Sequence, residues 1–282
     1  MDRKSIITVF AAIVMAVVTG CGSKGSSSSS GATEGDYECE LIPRIKAAMD
    51  KNDASEFAML CSYPISRDYP LHDIMDSAQM VDYYPVLVDD SIRTVILSAK
   101  PDDWWLAGWR GYTYGNGEYL WVDGGIYGIN YMSKREQKLR DSLIVADTYA
   151  IHPSLRGDWL PETCLLDSLS GRIYRVDISS KDEDAVEPKV RLAIYEKGAD
   201  LKSTPCKVLY GSRRIEGSAA THVYKFTGDN YSCSILYFPY EELRTLSEDE
   251  DEESRTLIKT YFLDLIDSLA STNSTVSVSP AL

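Results

Sequence analysis

At 282 residues the chain has room for one large domain or two small ones, and its formal charge of −14 disfavours nucleic acid and anionic membrane surfaces as partners. Its six cysteines include no CxxC pair, which leaves thioredoxin-like and zinc-ribbon readings without support. The three histidines, His72, His152 and His222, lie far apart and match no metal-ligand spacing.

The chain opens with Arg3 and Lys4, followed by an uncharged, largely apolar run from Ile6 to Val18. That run has signal-peptide length and is short for a membrane span. It ends in Val18-Thr19-Gly20-Cys21. The succession of basic start, apolar core, small residues and cysteine resembles the bacterial lipobox; the alternative is an ordinary signal peptide with a chance cysteine. The resemblance implies a signal peptide over residues 1–20, and acylation (palmitate among the chains) of Cys21 as the first mature residue. Gly22, rather than an aspartate, follows the cysteine, which by the same resemblance implies sorting to the outer membrane, facing the periplasm. Residues 21–36 are rich in glycine and serine and read as a flexible tether. The leader carries one net positive charge, from Arg3 and Lys4 against Asp2, so the rest of the chain is one unit more acidic than the whole.

Residues 37–151 read as an α+β domain. Leu41, Ile42, Ile45, Ala48 and Met49 recur at helical spacing. Asp53 with Glu56 three residues on outlines a capping box, and Ser133 with Glu136 outlines another before a long helix. Ile74, Met75, Ala78 and Val81 make a stripe that predicts a helix over 71–84. Then "TVILSA" (94–99), "WWLAGWRGYTY" (104–114), "EYLWV" (118–122) and "GIYGINYM" (125–132) are β-branched or aromatic, punctuated by glycine, and read as strands. This order, together with Tyr63-Pro64, Gly108-Trp109-Arg110-Gly111, Asn116-Gly117 and Ile129-Asn130, resembles the NTF2-like first domain of uncharacterised bacterial lipoproteins. The resemblance covers roughly residues 37–150. It implies a curved sheet wrapped around helices into a cone, and it brings no catalytic set with it.

Residues 152–170 read as a linker with two prolines. Residues 171–271 read as a small antiparallel β domain, with strands over 172–179, 189–197, 206–211, 221–226 and 231–238. It closes with an amphipathic helix on which Leu257, Ile258, Tyr261, Phe262, Leu265, Ile266 and Leu269 form one apolar stripe. Residues 272–282 read as a disordered tail.

The candidate binding feature is the aromatic run at 104–122. Asn116-Gly117 is a two-residue type I′ hairpin signal. A turn there puts Tyr114 opposite Tyr119, Tyr112 opposite Trp121 and Arg110 opposite Asp123. Tyr112, Tyr114, Tyr119 and Trp121 then share one face, with Arg110 at its end. That face is either a pocket for a glycan or another flat ligand, or a set of cross-strand aromatic pairs filling the sheet. With Cys21 assigned to lipid, Cys39–Cys61 and Cys206–Cys233 are the possible disulfides; the alternative is that all remaining thiols are free. No serine-hydrolase elbow, P-loop, dinucleotide fingerprint or calcium loop is present, and neither a metal nor a cofactor is expected. The expected protein is a lipid-anchored module of the bacterial cell envelope, without catalytic residues, that binds a glycan or an envelope protein. The alternative is a small-molecule or glycan-active enzyme using an acid in the first domain's pocket.

Overall fold

Helix α1 (Gly35–Asp50) opens the part of the chain that the computed structural model describes, which comprises residues 35–217, 220–228, 231–246, 253–267 and 272–280. The expected signal peptide, Cys21 and the tether up to residue 34 lie outside the described residues, as does the side chain of Cys39. Gly35 and Asp36, expected to end the tether, already belong to α1.

The helical stripe of α1 holds: Ile45, Ala48 and Met49 are buried, with Leu41 and Ile42 packed beside them. Asp53 caps α2 (Ala54–Met59) by accepting from the Glu56 amide at 3.0 Å. The helix expected over 71–84 is shorter at its start: α3 runs Ser77–Leu87. Two local interactions compete with the stripe. Asp76 accepts from the Gln79 amide at 2.9 Å and sets the N-cap, and Ile74 is paired with Ile65 in a two-way backbone bridge, 2.9 Å in each direction. The expected strand "TVILSA" is instead the second half of α4 (Asp90–Ser98) and its cap. Here the Asp89 carboxylate accepts from the Ser91 and Ile92 amides, at 3.0 and 3.2 Å. Once the first turn is capped, Ile92 and Ile96 fall four apart on the buried face, and tertiary packing outweighs their β-branched preference.

Four short strands follow as an antiparallel meander: β1 (Trp104–Leu106), β2 (Tyr112–Tyr114), β3 (Leu120–Val122) and β4 (Ile126–Ile129). Leu120, Val122 and Ile126 join Phe57, Met80, Ile92 and Ile96 in one core with the helices. The broad expectation of an α+β chain with antiparallel sheets holds. These four strands are three or four residues long. Helix α5 (Lys134–Ala150) is capped by Ser133, which accepts from the Glu136 amide at 3.0 Å.

The rest is a closed eight-stranded antiparallel barrel: β5 (Trp159–Leu166), β6 (Ile173–Ser179), β7 (Lys189–Tyr195), β8 (Lys207–Glu216), β9 (Thr221–Gly228), β10 (Tyr231–Leu246), β11 (Glu253–Asp267) and β12 (Thr272–Pro280). Each strand pairs with the next in the chain, and β12 returns to β5 through Ser279–Leu166 and Pro280–Leu165. Three expectations are corrected by this closure. The linker contains strand β5, the C-terminal helix is strand β11, and the tail is strand β12. The β11 sequence is rich in Thr, Ile, Tyr and Phe, which suit a strand, and pairing with β10 and β12 supplies the long-range hydrogen bonds that decide between two periods locally compatible with the same apolar run.

One barrel face of β6 and β7 carries Tyr174, Val176, Ile178, Val190, Leu192 and Ile194, all buried with Leu209, Phe226, Cys233 and Ile235. The opposite face is also buried, because α5 and the residues after it cover it: Ile151 and Leu155 pack on Ala193 and Tyr195. Residues Tyr37–Leu282 accordingly form one compact unit.

Candidate functional site

The aromatic face expected at the hairpin is divided by its register. β2 and β3 pair Tyr112 with Val122, Thr113 with Trp121 and Tyr114 with Leu120. Gly115, Asn116 and Gly117 all have positive φ, so the turn is longer than two residues and the ladder is offset by one. A slip of one residue moves a side chain to the other face. Trp121 therefore leaves Tyr112 and Tyr114, and its indole folds back over the turn, with Nε1 donating to the Gly117 carbonyl at 3.1 Å. The tyrosines pack among themselves: the Tyr114 and Tyr119 rings are tilted with centroids 5.7 Å apart, and Tyr119 stacks on Tyr131 at 5.9 Å. Tyr112, Tyr114 and Tyr119 pack against the helical core. Arg110 ends a short 3-10 turn, outside the ladder, and its carbonyl accepts from the Tyr127 hydroxyl at 2.8 Å.

Neither expected disulfide forms, since Cys61 and Cys206 are free thiols. Cys61 donates to the Phe57 carbonyl at 3.4 Å. Cys206 precedes β8, whereas Cys233 sits on β10 level with Phe226 of β9 and, beyond it, Gly211 of β8. Two strand spacings and about five residues of strand rise separate the two cysteines, well outside disulfide reach.

The structure gathers polar side chains elsewhere. A cavity of about 810 Å³ lies at one end of the barrel, between its rim and the loop 64–79 of the helical part. Barrel residues Glu162, Arg213, His222, Tyr224 and Tyr237 face Asp68, Tyr69 and His72 of the loop across it. None of Arg110, Tyr112, Tyr114, Tyr119 and Trp121 lines it, nor do the acids Asp102, Asp103, Glu118 and Asp123 that flank the aromatic run.

Strand chemistry explains the rim. In β9 the alternation His222, Tyr224, Phe226 places all three on the face where Phe226 enters the core. Register aligns Arg213 with Tyr224 and His222 with Tyr237. In β5 the pairing jumps between Pro161 and Thr163, so Glu162 is an extra, bulged residue. Such a bulge re-aims a side chain. The Glu162 carboxylate accepts from Arg213 Nη1 at 2.7 Å and from the Tyr224 hydroxyl at 2.8 Å. His222 Nδ1 lies 3.4 Å from the Tyr224 hydroxyl, and its ring meets Tyr237 edge-on with centroids 5.2 Å apart. Burial pushes the His222 pKa down, the Arg213 charge adds to this, and Glu162 and Asp68 oppose it without compensating. The imidazole is therefore neutral at pH 7. Cys164 also lines the cavity, but burial pushes its thiol up to about 11, so it stays protonated and is a poor nucleophile.

The loop that roofs the cavity is held by a buried ion pair. Arg67 Nε and Nη2 donate to Glu136 of α5 at 2.7 and 2.5 Å, and Nη2 also donates to the Tyr131 carbonyl at 3.1 Å. Tyr83 donates to the same carboxylate at 3.0 Å, and the Arg67 amide donates to Asp73 at 2.8 Å. Glu136 was legible as a capping residue; its actual partner lies 69 positions upstream.

Of the three histidines, His72 and His222 both line the cavity, while His152 accepts from the Ser154 amide and stabilises a turn. The sequence carried one usable signal for this site, the period-two run "THVYKF". Glu162 and Arg213 had none, since a bulge and a cross-barrel pair are products of folding. Among the described residues no group of three or more His, Cys, Asp or Glu side chains could hold a metal ion, and no helix is long and apolar enough to cross a membrane. Comparison with known proteins returns nothing for this chain: no family model, no curated protein and no solved structure matches it.

Proposed function

We propose that this is a lipid-anchored protein of the bacterial cell envelope whose barrel mouth binds a small polar ligand without transforming it. The observation that carries the binding reading is the 810 Å³ cavity, in which Glu162, Arg213, Tyr224 and His222 are already ordered by one another. Concave sites with a few fixed polar groups on an apolar, aromatic wall are the general form of ligand sites. Binding is favoured over chemistry because Glu162 is neutralised by Arg213 and the Cys164 thiol is held protonated. The enzymatic alternative would fall to Asp68, an exposed carboxylate that the helical part contributes to the cavity.

The anchor rests on the lipobox-like leader ending at Cys21, and Gly22 supports placement on the outer membrane, facing the periplasm. The order of helices before sheet in residues 37–150 supports the NTF2-like likeness, and the shortness of strands β1 to β4 weighs against it. Two measurements test the proposal. Changing Cys21→Ala should release the protein from membranes and abolish metabolic acyl labelling; retention with unchanged labelling refutes the anchor. Ligand-observed NMR of the full chain against saccharides, peptidoglycan fragments and small metabolites should find a binder that Arg213→Met weakens. A binder indifferent to Arg213→Met and His222→Phe places the site elsewhere.

A further inference from the structure

The hydrogen bonds at the barrel mouth determine what His222 offers a ligand. A phenol has one proton, and the Tyr224 proton is directed to Glu162 at 2.8 Å. Towards His222 the Tyr224 oxygen is therefore the acceptor, and Nδ1 at 3.4 Å carries the hydrogen. In the neutral ring this leaves Nε2 as a lone-pair acceptor, and Nε2 has no hydrogen-bond partner among the described residues. The ions deepest in the site are already matched: Arg213 with Glu162, and Arg67 with Glu136. The cavity-lining charges without an ion partner among the described residues are Arg140, Asp68 and Glu183, of both signs, and the two acids are exposed. Tyr237 and Tyr69 supply ring surface, and burial raises the Tyr69 pKa, so its phenol remains a protonated donor.

A ligand bearing net charge would find Arg213, Glu162, Arg67 and Glu136 already engaged with one another, with half-buried Arg140 the cation left to meet it at the cavity, and beside His222 it would lose hydration without a matching gain. A ligand with hydroxyls and an apolar ring face meets an acceptor, a donor and aromatic surface together. Resting on the binding reading above, we infer that the barrel mouth takes an uncharged, hydroxyl-bearing ligand of the saccharide class, with one ligand hydroxyl donating to His222 Nε2.

The test uses the full chain, titrated by calorimetry with neutral saccharides, including N-acetylglucosamine oligomers, and with their uronate, amino-sugar and phosphate counterparts. Neutral members should bind best. His222→Phe should weaken them by roughly five- to tenfold, the worth of one hydrogen bond, and His222→Gln, which can still accept, by less. Affinity should also fall on acidification, as protonation converts Nε2 from acceptor to donor beside Arg213, Glu162, Asp68, Tyr224 and Tyr237. Tighter binding of a charged counterpart at a His222-sensitive site overturns the ligand class while leaving the binding site standing. Binding of no compound from either set overturns the ligand class, and the wider metabolite screen then decides separately whether the barrel mouth binds at all. If the variants fail to fold, ¹⁵N spectra of the wild-type imidazole decide: a hydrogen on Nε2 in the neutral ring overturns the inference.

Discussion

Replacing Asp177 with alanine probes the charges that join α5 to the barrel wall. Asp177 is 1% exposed. One oxygen accepts from Arg175 Nε at 2.8 Å, and the other accepts from Arg191 Nε and Nη2 at 3.1 and 2.6 Å. Arg175 also grips Asp147 of α5 with both Nη atoms, at 2.8 and 2.5 Å. Two cations and two anions thus share one desolvated site. Removing Asp177 leaves Arg191 with the Leu155 carbonyl at 2.7 Å and the face of Trp159 at 4.7 Å, and no carboxylate. Breaking a buried pair by deleting one partner costs about 3–5 kcal/mol, because the surviving charge stays buried. With a urea m-value of roughly 3 kcal/mol/M, the midpoint should fall by about 1–1.7 M. Tryptophan fluorescence follows the transition. Arg44→Ala, which removes a solvent-exposed pair with Glu56, serves as the control and should scarcely move the midpoint. If Asp177→Ala shifts the midpoint no further than Arg44→Ala, the buried-network argument is wrong.

Gly211→Ala should lower the melting temperature substantially, with overpacking costing about 1–3 kcal/mol or more, because an added Cβ would sit 1.7 Å from the Lys225 carbonyl oxygen of β9; an unchanged melting temperature in a thermal scan would contradict this approach of β8 to β9. Asp89→Ala should cost about 0.5–2 kcal/mol, since it removes the α4 cap and the Tyr131 hydrogen bond. Burial alone would raise the Asp89 pKa, but the Tyr131 hydroxyl and the Ile92 and Ser91 amides together hold it below 3.8, so its stabilisation is complete above that value and is lost as pH falls below it; denaturation midpoints of wild type and variant should converge in acid. Trp121→Ala should lower the melting temperature and leave affinity at the barrel mouth unchanged, since its indole covers Gly117 and does not line the cavity; lost affinity at an unchanged melting temperature would return the hairpin to candidacy as a ligand site.

The helical part was partly legible because its signals are short-range. The α1 stripe and the N-caps at Asp53 and Ser133 are contacts between residues three or four apart and formed as read, but the returning half of each capping box did not: Glu56 pairs with Arg44 and Glu136 with Arg67. The Asn116-Gly117 turn was legible as a turn but not as a register: Gly115 also adopts positive φ, and that added residue sent Trp121 to the other face. Asp89 and Asp76 acted as caps where an apolar or β-branched pattern suggested otherwise, since a cap depends on one side chain and a period averages over many.

What the sequence by itself determined was local: which face of α1 is buried, where α2 and α5 begin, where the hairpin turns, and which strands of the second half alternate. The tertiary structure decided everything that needed partners distant in the chain. It made 253–267 a strand, because β10 and β12 flank it; it closed the barrel through Pro280 and Leu165; and it brought His222, Arg213 and Glu162 under a loop held by Arg67 and Glu136. The physical reason is the range of the forces. Capping and periodicity act within a turn or two, whereas a ladder hydrogen bond, a buried ion pair and the desolvation that keeps His222 neutral exist only once remote segments have excluded water from one another.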